Sequence, residues 1–201
     1  MTDEKESRER ILDAAHTIFL RRGTASARTQ EIADEAGVNK ALLHYYFGSK
    51  EALAEEIFRR AIGDFFPRFF AILGSGLSLD EKVPLVVETY LDFLSSRPYL
   101  PGYVVSEMHV HPDRIRAVFA SRGPAPLDVL TRQIEERVAA GTMRHIAVEQ
   151  FVMNLVSLIV YPFVVRPAME IVLQVDGDRF DAFISERRRT LPGFVLNALR
   201  P

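Results

Sequence analysis

Apolar residues recur three and four positions apart along almost the whole chain, whereas stretches that alternate apolar and polar residues are few and short. Ile11, Ala15, Ile18 and Phe19 give the first example, since this spacing puts them on one face of a helix from about Ser7 to Arg22. Such a spacing is typical of helices packed on a core, and alternation is typical of strands. The sequence therefore predicts an all-α protein of about nine helices.

Glycine divides this helical pattern into segments. We expect Ser7 to cap the first helix and Gly23 to end it. The pattern breaks again near Gly63, and the helical segments beyond are longer and more apolar. This change predicts two domains, residues 1–62 and residues 63–201.

The composition excludes several classes of protein. The 201 residues carry a net charge of −2 and include no cysteine. This charge excludes a protein that coats nucleic acid or acidic membranes over its whole surface, although it permits a local basic patch. The absence of cysteine excludes disulfide scaffolds, thiolate metal sites and cysteine nucleophiles.

Neither a membrane span nor a secretory signal is predicted. The most apolar stretch, residues 151–165, is shorter than the ~20 residues that a spanning helix needs, and it contains Pro162. The first ten residues are densely charged, and no apolar signal stretch follows them. We therefore expect a soluble cytoplasmic protein. Pro162 and Pro192 lie inside helical patterns, and each is expected to kink or end its helix.

Residues 28–47 have the pattern of two short helices joined by a tight turn. Ala33 is small where two crossing helices would approach, and Gly37 stands where the chain needs a left-handed backbone. A helix-turn-helix makes these demands at this spacing. The positions that would face inward and join the two helices are all apolar or aromatic, namely Ile32, Ala36, Val38, Leu43 and Tyr46.

The other residues of the second short helix are not needed for a core. The first turn of such a helix faces base edges in the major groove. Lys40 is expected to bind guanine or a phosphate, and Ala41 and Leu42 to pack on thymine methyl groups. Phosphate contacts are expected from side chains near this helix and at the start of the preceding one. These are Arg28, Thr29, Gln30, His44, Tyr45 and Lys50.

This pattern alone leaves an alternative open, because two short helices around a glycine also occur in proteins that bind nothing. The segment from Ser7 to Arg60 is not markedly basic. A DNA-binding protein of this kind must gather its positive residues on one face. Arg28, Lys40 and Lys50 do cluster around the second helix in the sequence.

Two runs, QEIADEAGVNK from Gln30 to Lys40 and LHYYFGSKEAL from Leu43 to Leu53, resemble the N-terminal signature of the TetR (tetracycline-repressor-like) family. The resemblance covers about Arg8 to Ile62. It implies a three-helix DNA-binding domain followed by a helical domain that binds an effector and forms a homodimer. Members of that family are transcriptional repressors, mostly homodimeric, whose C-terminal domain binds a small molecule and so releases DNA. The family's DNA contacts would fall on Thr29, Gln30, Lys40, Ala41, Leu42, His44, Tyr45 and Lys50.

Several departures from the family pattern stand out, among them Asn39 in place of a common Ser and an inverted order of His44 and Tyr45. Arg28 replaces the Ser or Thr that usually caps the second helix, and Ser26 is a possible substitute. Ala41 and Leu42 replace a frequent Gly-Thr pair, which we expect to change the operator that is bound. Thr24 stands where an aromatic or aliphatic core residue is usual.

The resemblance also implies a homodimer through the helices at about 147–166 and 179–199. One candidate stripe is Phe151, Leu155, Leu158 and Ile159, and another is Phe180, Phe183, Ile184, Val195 and Leu199. A two-fold dimer would bind a palindromic operator. The alternative is that both stripes belong to the core of a single chain.

An apolar or aromatic effector would need a pocket among the middle helices. Candidate lining residues are Phe69, Tyr90, Phe93, Tyr103, Met108, His109, Met153 and Tyr161. Aromatic and methionine side chains suit such a site, although the same residues are also ordinary core residues. We predict no cofactor and no metal site, since His109 and His111 fall on different faces of a helix and Pro112 follows.

Two other functions remain alternatives. The protein could be a dimeric DNA-binding regulator without an effector, its second domain serving only to dimerise or to bind another protein. It could also be a helical enzyme, but the sequence has no cysteine, no Glu-x-x-His metal motif and no glycine-rich phosphate loop. We therefore expect a regulator and not an enzyme.

Overall fold

The computed structural model describes residues 2–63, 65–120 and 123–201. Every regular element in these ranges is a helix, which confirms the all-α prediction. Twelve helices lie in the described ranges: α1 Thr2–Ser26, α2 Thr29–Glu35, α3 Lys40–Phe47, α4 Lys50–Gly63, α5 Phe65–Leu73, α6 Leu79–Ser95, α7 Leu100–Val110, α8 Pro112–Ala120, α9 Leu127–Ala139, α10 Val148–Val164, α11 Arg166–Val172 and α12 Gly177–Ala198.

The first compact unit combines Met1–Asp64 with Tyr99–Gly123. Helices α1 to α4 form a small core in which Phe19, Ile32 and Leu43 are fully buried. Helix α7 packs against α1, and α8 packs against α4. The unit therefore differs from the predicted division at residue 62, because these two later helices are part of it.

The start and end of α1 differ from the prediction. The helix already begins at Thr2, so that Ser7 lies inside it and its hydroxyl accepts a hydrogen bond from Arg10 Nη2 at 3.1 Å. Ser7 is thus not the helix cap. Gly23 does interrupt the helix, with φ 75° and ψ 159°, and one further turn ends at Ser26.

The second compact unit combines Phe65–Pro98 with Pro124–Pro201 and holds α5, α6 and α9 to α12. Its core includes most of both stripes that were candidates for a dimer interface. The buried members are Phe151, Leu155, Ile159, Phe180, Ile184 and Val195, whereas Leu158, Phe183 and Leu199 are only partly buried. The two stripes therefore belong mainly to the core of a single chain.

The twelve helices exceed the predicted number of about nine, and two of the short ones begin close to a proline. Helix α5 carries Pro67 in its first turn, and α11 has Pro167 there. Proline is tolerated in the first turn because the N–H groups of that turn have no partner within the helix. Pro162 and Pro192 both lie within helices, and α10 ends two residues after Pro162.

Among the described residues no single helix is both long and apolar enough to span a membrane. Helices α10 and α11 meet that test only as a pair, and a bend of 59° separates them.

Candidate nucleic-acid interface

The turn between α2 and α3 has the geometry that the sequence predicts. Gly37 has φ 63°, in the left-handed region that favours glycine. Its N–H donates to the Asp34 carbonyl at 3.1 Å, and the Val38 N–H donates to the Ala33 carbonyl at 3.0 Å. Ala33 is fully buried, as expected for a residue at a close approach of two helices. These residues fix the crossing of α2 and α3.

Helix α3 is anchored at both ends and along one face. The Asn39 side chain accepts a hydrogen bond from the Leu42 N–H at 2.8 Å and caps the helix, and Gly48 ends it with φ 71°. Leu43 points into the core and is fully buried. The opposite face is consequently presented to solvent. Lys40, Ala41, His44 and Tyr45 are exposed there, with Tyr45 75% exposed, and Leu42 is half-buried.

The start of α2 is stabilised by a carboxylate. Glu31 Oε2 accepts the backbone N–H of Arg28 at 3.2 Å. The Ser26 hydroxyl donates to the Arg22 carbonyl instead, so Ser26 does not replace the missing cap. Arg28 and Gln30 are exposed and Thr29 is half-buried.

Two of the three acidic side chains of α2, Glu31 and Asp34, contact neighbouring side chains. Glu31 lies 3.5 Å from the Arg22 guanidinium, and Asp34 accepts from Gln30 Nε2 at 2.8 Å. The Arg22 guanidinium partly offsets the charge of Glu31, so this carboxylate opposes an approaching phosphate less than an unpaired one would.

Lys50 occupies a different environment from the other predicted DNA contacts. It is half-buried, and its ammonium donates to the carbonyl oxygens of Thr24 at 3.1 Å, Ala27 at 3.2 Å and Ala25 at 3.4 Å. These carbonyls lie at the end of α1 and in the segment before α2. A phosphate contact by Lys50 would have to share or break these bonds, and it stays a prediction.

Three of the predicted effector residues lie close together in the second unit. Phe69 and Tyr90 are buried in the second unit, and Phe93 is half-buried beside them. The ring centroids of Phe69 and Tyr90 are 5.2 Å apart, and Phe65 lies 4.8 Å from Phe93. These rings pack directly on one another. Burial raises the pKa of the Tyr90 hydroxyl.

The other five predicted effector residues lie elsewhere. Met108, His109, Met153 and Tyr161 are exposed, with Met153 and Tyr161 62% and 63% exposed. Tyr103 is buried, but it belongs to the first unit. These four side chains are exposed in the single chain, and a lining role for them stays a prediction.

Some residues with a distinctive environment were not among the predicted sites. Phe194 on α12 is 63% exposed, an unusual position for a large aromatic side chain. Thr24 is almost fully buried, and its hydroxyl has no hydrogen-bond partner among the described residues. The only signal for Thr24 in the sequence is that a polar residue stands at a core position.

Comparison with known proteins links the N-terminal helices to one family. Residues 11–57 match the model of the bacterial regulatory proteins of the tetR family. KstR2, an HTH-type transcriptional repressor of Rhodococcus jostii, is 27% identical over 129 residues, which cover 64% of this chain and 60% of that protein.

Solved structures extend the similarity to nearly the whole fold. A regulator from Saccharomonospora viridis, solved in complex with choline, has a TM-score of 0.67 at 24% identity and covers 98% of this chain and 99% of its own. FadR from Bacillus subtilis, solved in complex with stearoyl-CoA, has a TM-score of 0.64 at 17% identity, covering 94% of this chain and 97% of its own. At these identities the likeness concerns the fold alone.

Proposed function

We propose that this chain, whose N-terminal domain belongs to the TetR family of bacterial regulatory proteins, is a DNA-binding transcriptional repressor. One observation carries the proposal. Helix α3 buries Leu43 against the core and exposes Lys40, Ala41, His44 and Tyr45 on its other face. A helix held in this way can enter the major groove with its first turn toward the bases.

Each exposed group has a chemistry suited to one part of the duplex. Lys40 donates to guanine O6 and N7 or to a phosphate, and Ala41 and Leu42 offer apolar contact to thymine methyl groups. His44 and Tyr45 donate to phosphate oxygens, as do Arg28, Thr29 and Gln30 from the start of α2. The balanced charge of the whole chain does not prevent this, because Arg28 and Lys40 are exposed and Glu31 is paired with Arg22.

We also propose that the protein acts as a homodimer through α10 and α12. Met153 and Tyr161 are eight residues apart on α10 and therefore share one side of the helix. Both are more than 60% exposed, as is Phe194 on α12. An apolar surface of this kind is typical of a protein interface. A second copy would present a second α3, and an operator with two-fold symmetry follows.

The effector is proposed to be an apolar or aromatic small molecule bound in the second unit near Phe69, Tyr90 and Phe93. Related folds have been solved with stearoyl-CoA and with choline. Acyl thioesters and quaternary ammonium compounds are thus the first two classes to test. The rings here are in contact with each other, so a ligand must displace at least one of them.

The same ring contacts favour a second candidate function, a dimeric DNA-binding regulator without an effector. A core filled by its own side chains needs no ligand. The two candidates are separated by adding acyl-CoA or choline to the protein–DNA complex, since only an effector-responsive regulator changes its affinity for DNA.

The proposed DNA binding is tested by selection from random duplexes. The protein is mixed with the library at low ionic strength, bound fragments are recovered, and their sequences are compared. A repressor of this kind enriches an inverted repeat with half-sites about one helical turn apart, ~34 Å. Recovery of fragments with no shared sequence would contradict sequence-specific binding.

A further inference from the structure

Lys50 joins the chain that enters the helix-turn-helix to the chain that leaves it. Its ammonium donates to the carbonyl oxygens of Thr24 at 3.1 Å, Ala27 at 3.2 Å and Ala25 at 3.4 Å. Ala27 stands two residues before α2, and Lys50 stands three residues after α3. These hydrogen bonds therefore connect the two segments that flank the motif.

The hydrogen bonds of Lys50 engage its whole ammonium group. An ammonium has three N–H donors and no acceptor. Here three carbonyl oxygens lie within hydrogen-bond distance of the nitrogen, one for each donor. Lys50 is half-buried, so water competes for these donors only in part. A phosphate oxygen could be contacted only at the expense of one of these bonds.

The carbonyl groups at the end of α1 need a donor from outside the helix. The last carbonyls of a helix have no N–H partner within it, and this end of a helix carries a partial negative charge. Residues 23–26, the last turn of α1, contain no basic residue. The Ser26 hydroxyl donates to the Arg22 carbonyl, one turn earlier. Lys50 thus supplies from α4 the cation that α1 lacks at this end.

The backbone that carries Lys50 is itself held in place. The Ser49 hydroxyl accepts an N–H of the first turn of α4 at 3.0 Å and caps this helix. The Gly48 N–H donates to the His44 carbonyl at 2.8 Å. The Ser49 N–H donates to the Phe47 carbonyl, also at 2.8 Å. The turn from α3 into α4 therefore presents the lysine at a set position relative to α3.

We propose that Lys50 is a positioning residue for DNA binding and not a phosphate contact. The Lys50 ammonium and the carbonyls of Thr24, Ala25 and Ala27 form what we call the carbonyl clasp. The clasp joins the segment before α2 to the start of α4, and so it sets the position of α2 relative to the end of α3. This inference rests on the proposed DNA-binding function.

The carbonyl clasp acts on DNA through the start of α2. Ala27 is followed directly by three residues that we propose as phosphate contacts, Arg28, Thr29 and Gln30. Phosphate contacts fix the register of a protein on the duplex. A shift at Ala27 would carry these residues with it, and α3 would then enter the major groove in a different register.

The first test uses the wild-type protein, so that no variant has to fold. The ammonium protons of Lys50 are observed by nitrogen-15 NMR with and without the selected duplex. In the carbonyl clasp these protons exchange slowly with water in the free protein, and their signal stays in place when the duplex is added. A signal that is absent from the free protein, whether or not DNA restores it, would overturn the proposal.

The second test removes the donors. Lys50→Met keeps the length of the side chain but leaves the three carbonyls without the ammonium. Amide hydrogen exchange at residues 24–31 should become faster in the free protein. Affinity for the selected duplex should fall about tenfold, the cost of roughly one charged hydrogen bond. The slope of log affinity against log salt should stay unchanged, whereas a slope reduced by about 0.9 would identify a lost phosphate contact and contradict the clasp.

Two control variants are measured beside Lys50→Met. Arg28→Met removes a proposed phosphate contact and should reduce the salt slope by about 0.9. Lys5→Met removes an exposed lysine of α1 and should change neither the exchange nor the affinity. If Lys5→Met weakens binding as much as Lys50→Met does, the loss comes from removing a positive charge and the proposal is overturned.

A purely structural role of Lys50 gives a different pattern. Lys50→Met would then lower the free energy of unfolding, but the folded variant would bind DNA as tightly as the wild type, and this result would also overturn the proposal. A wild-type protein that binds no duplex refutes the proposed DNA binding instead. The ammonium signal and the exchange rates of the free protein decide separately whether the clasp holds the segment before α2.

Discussion

The guanidinium of Arg187 on α12 donates two hydrogen bonds to the carbonyl of Leu158 on α10, from Nε at 3.1 Å and from Nη2 at 2.6 Å. The residue four positions after Leu158 is Pro162, which has no N–H to give to this carbonyl. Arg187 thus replaces the bond that the proline removes. The carbonyl is satisfied and α10 continues past its proline.

Arg187→Leu should therefore destabilise the second unit by about 1–3 kcal/mol, the cost of leaving a partly buried carbonyl unpaired. Urea unfolding followed by circular dichroism measures the change. The neighbouring Arg189→Leu, at an exposed position, should cost much less. In a Pro162→Ala background the helix regains its own N–H donor, and the effect of Arg187→Leu should shrink. An equal effect in both backgrounds would contradict this role of Arg187.

The first unit should lose stability in acid through an ion cluster between α1 and α4. Arg60 donates to both carboxylate oxygens of Glu9, at 2.8 and 3.1 Å, and to Glu56 at 3.1 Å. Hydrogen bonding by Arg60 lowers the pKa of Glu9. For Glu56, burial raises the pKa, but the hydrogen bonds from Arg59 and Arg60 outweigh it and the net shift is downward.

The pKa values of Glu9 and Glu56 are lower in the folded state than the ordinary value of 4.5. The cluster therefore stabilises the protein at pH values above 4.5. This contribution is lost as the pH falls through the folded-state values. The side chains are partly exposed, so Arg60→Gln should cost only about 0.5–1 kcal/mol near neutral pH. The difference from wild type should vanish in acid. A difference that stays constant with pH would show that Arg60 acts by packing alone.

Lys40→Ala should weaken binding to the selected duplex. A lysine that contacts a guanine contributes about 1–3 kcal/mol of discrimination, equivalent to roughly fivefold to 150-fold in affinity. The loss should be large for the selected base and small when that base is changed. Lys5→Ala removes an exposed lysine from α1 and serves as the control. Equal losses from the two variants on every duplex would mean that Lys40 does not contact a base.

Tyr161→Glu should dissociate the proposed dimer. The change places a charge on the exposed apolar side of α10, where burial in an interface would leave it unpaired. Tyr99→Glu is a matched control, because Tyr99 in the first unit is 62% exposed and Tyr161 is 63% exposed. Sedimentation velocity at several protein concentrations measures the fraction of dimer for each variant. If Tyr161→Glu and wild type sediment alike, the interface lies elsewhere.

The helix-turn-helix was predictable because its demands are local. Ile32, Ala33 and Leu43 have the helical spacing of a buried face, and Gly37 marks the turn between them. The side chains of Ile32, Ala33 and Leu43 are fully buried. Helices α5 and α11 were harder to predict, because a proline in the sequence suggests that a helix ends nearby. In these two helices the proline lies instead in the first turn.

The environments of Lys50 and of the exposed apolar residues were not predictable in the same way. Lys50 binds carbonyl oxygens more than twenty residues away, and no local pattern encodes such a contact. Helical spacing groups Met153 with Tyr161 but does not say whether their side of α10 faces the core or the solvent. That choice depends on which neighbouring helices cover it, which is decided only in the folded chain.

The central claim is that two copies of α3 bind one duplex across a two-fold axis. Its most direct measurement is a titration of the selected duplex with the full chain, followed by fluorescence anisotropy and sedimentation of the complex. Two chains should bind each duplex, and changing the base opposite Lys40 in one half-site should weaken the whole complex. A single chain on the duplex, or a monomer that ignores every duplex at low salt, would contradict the account.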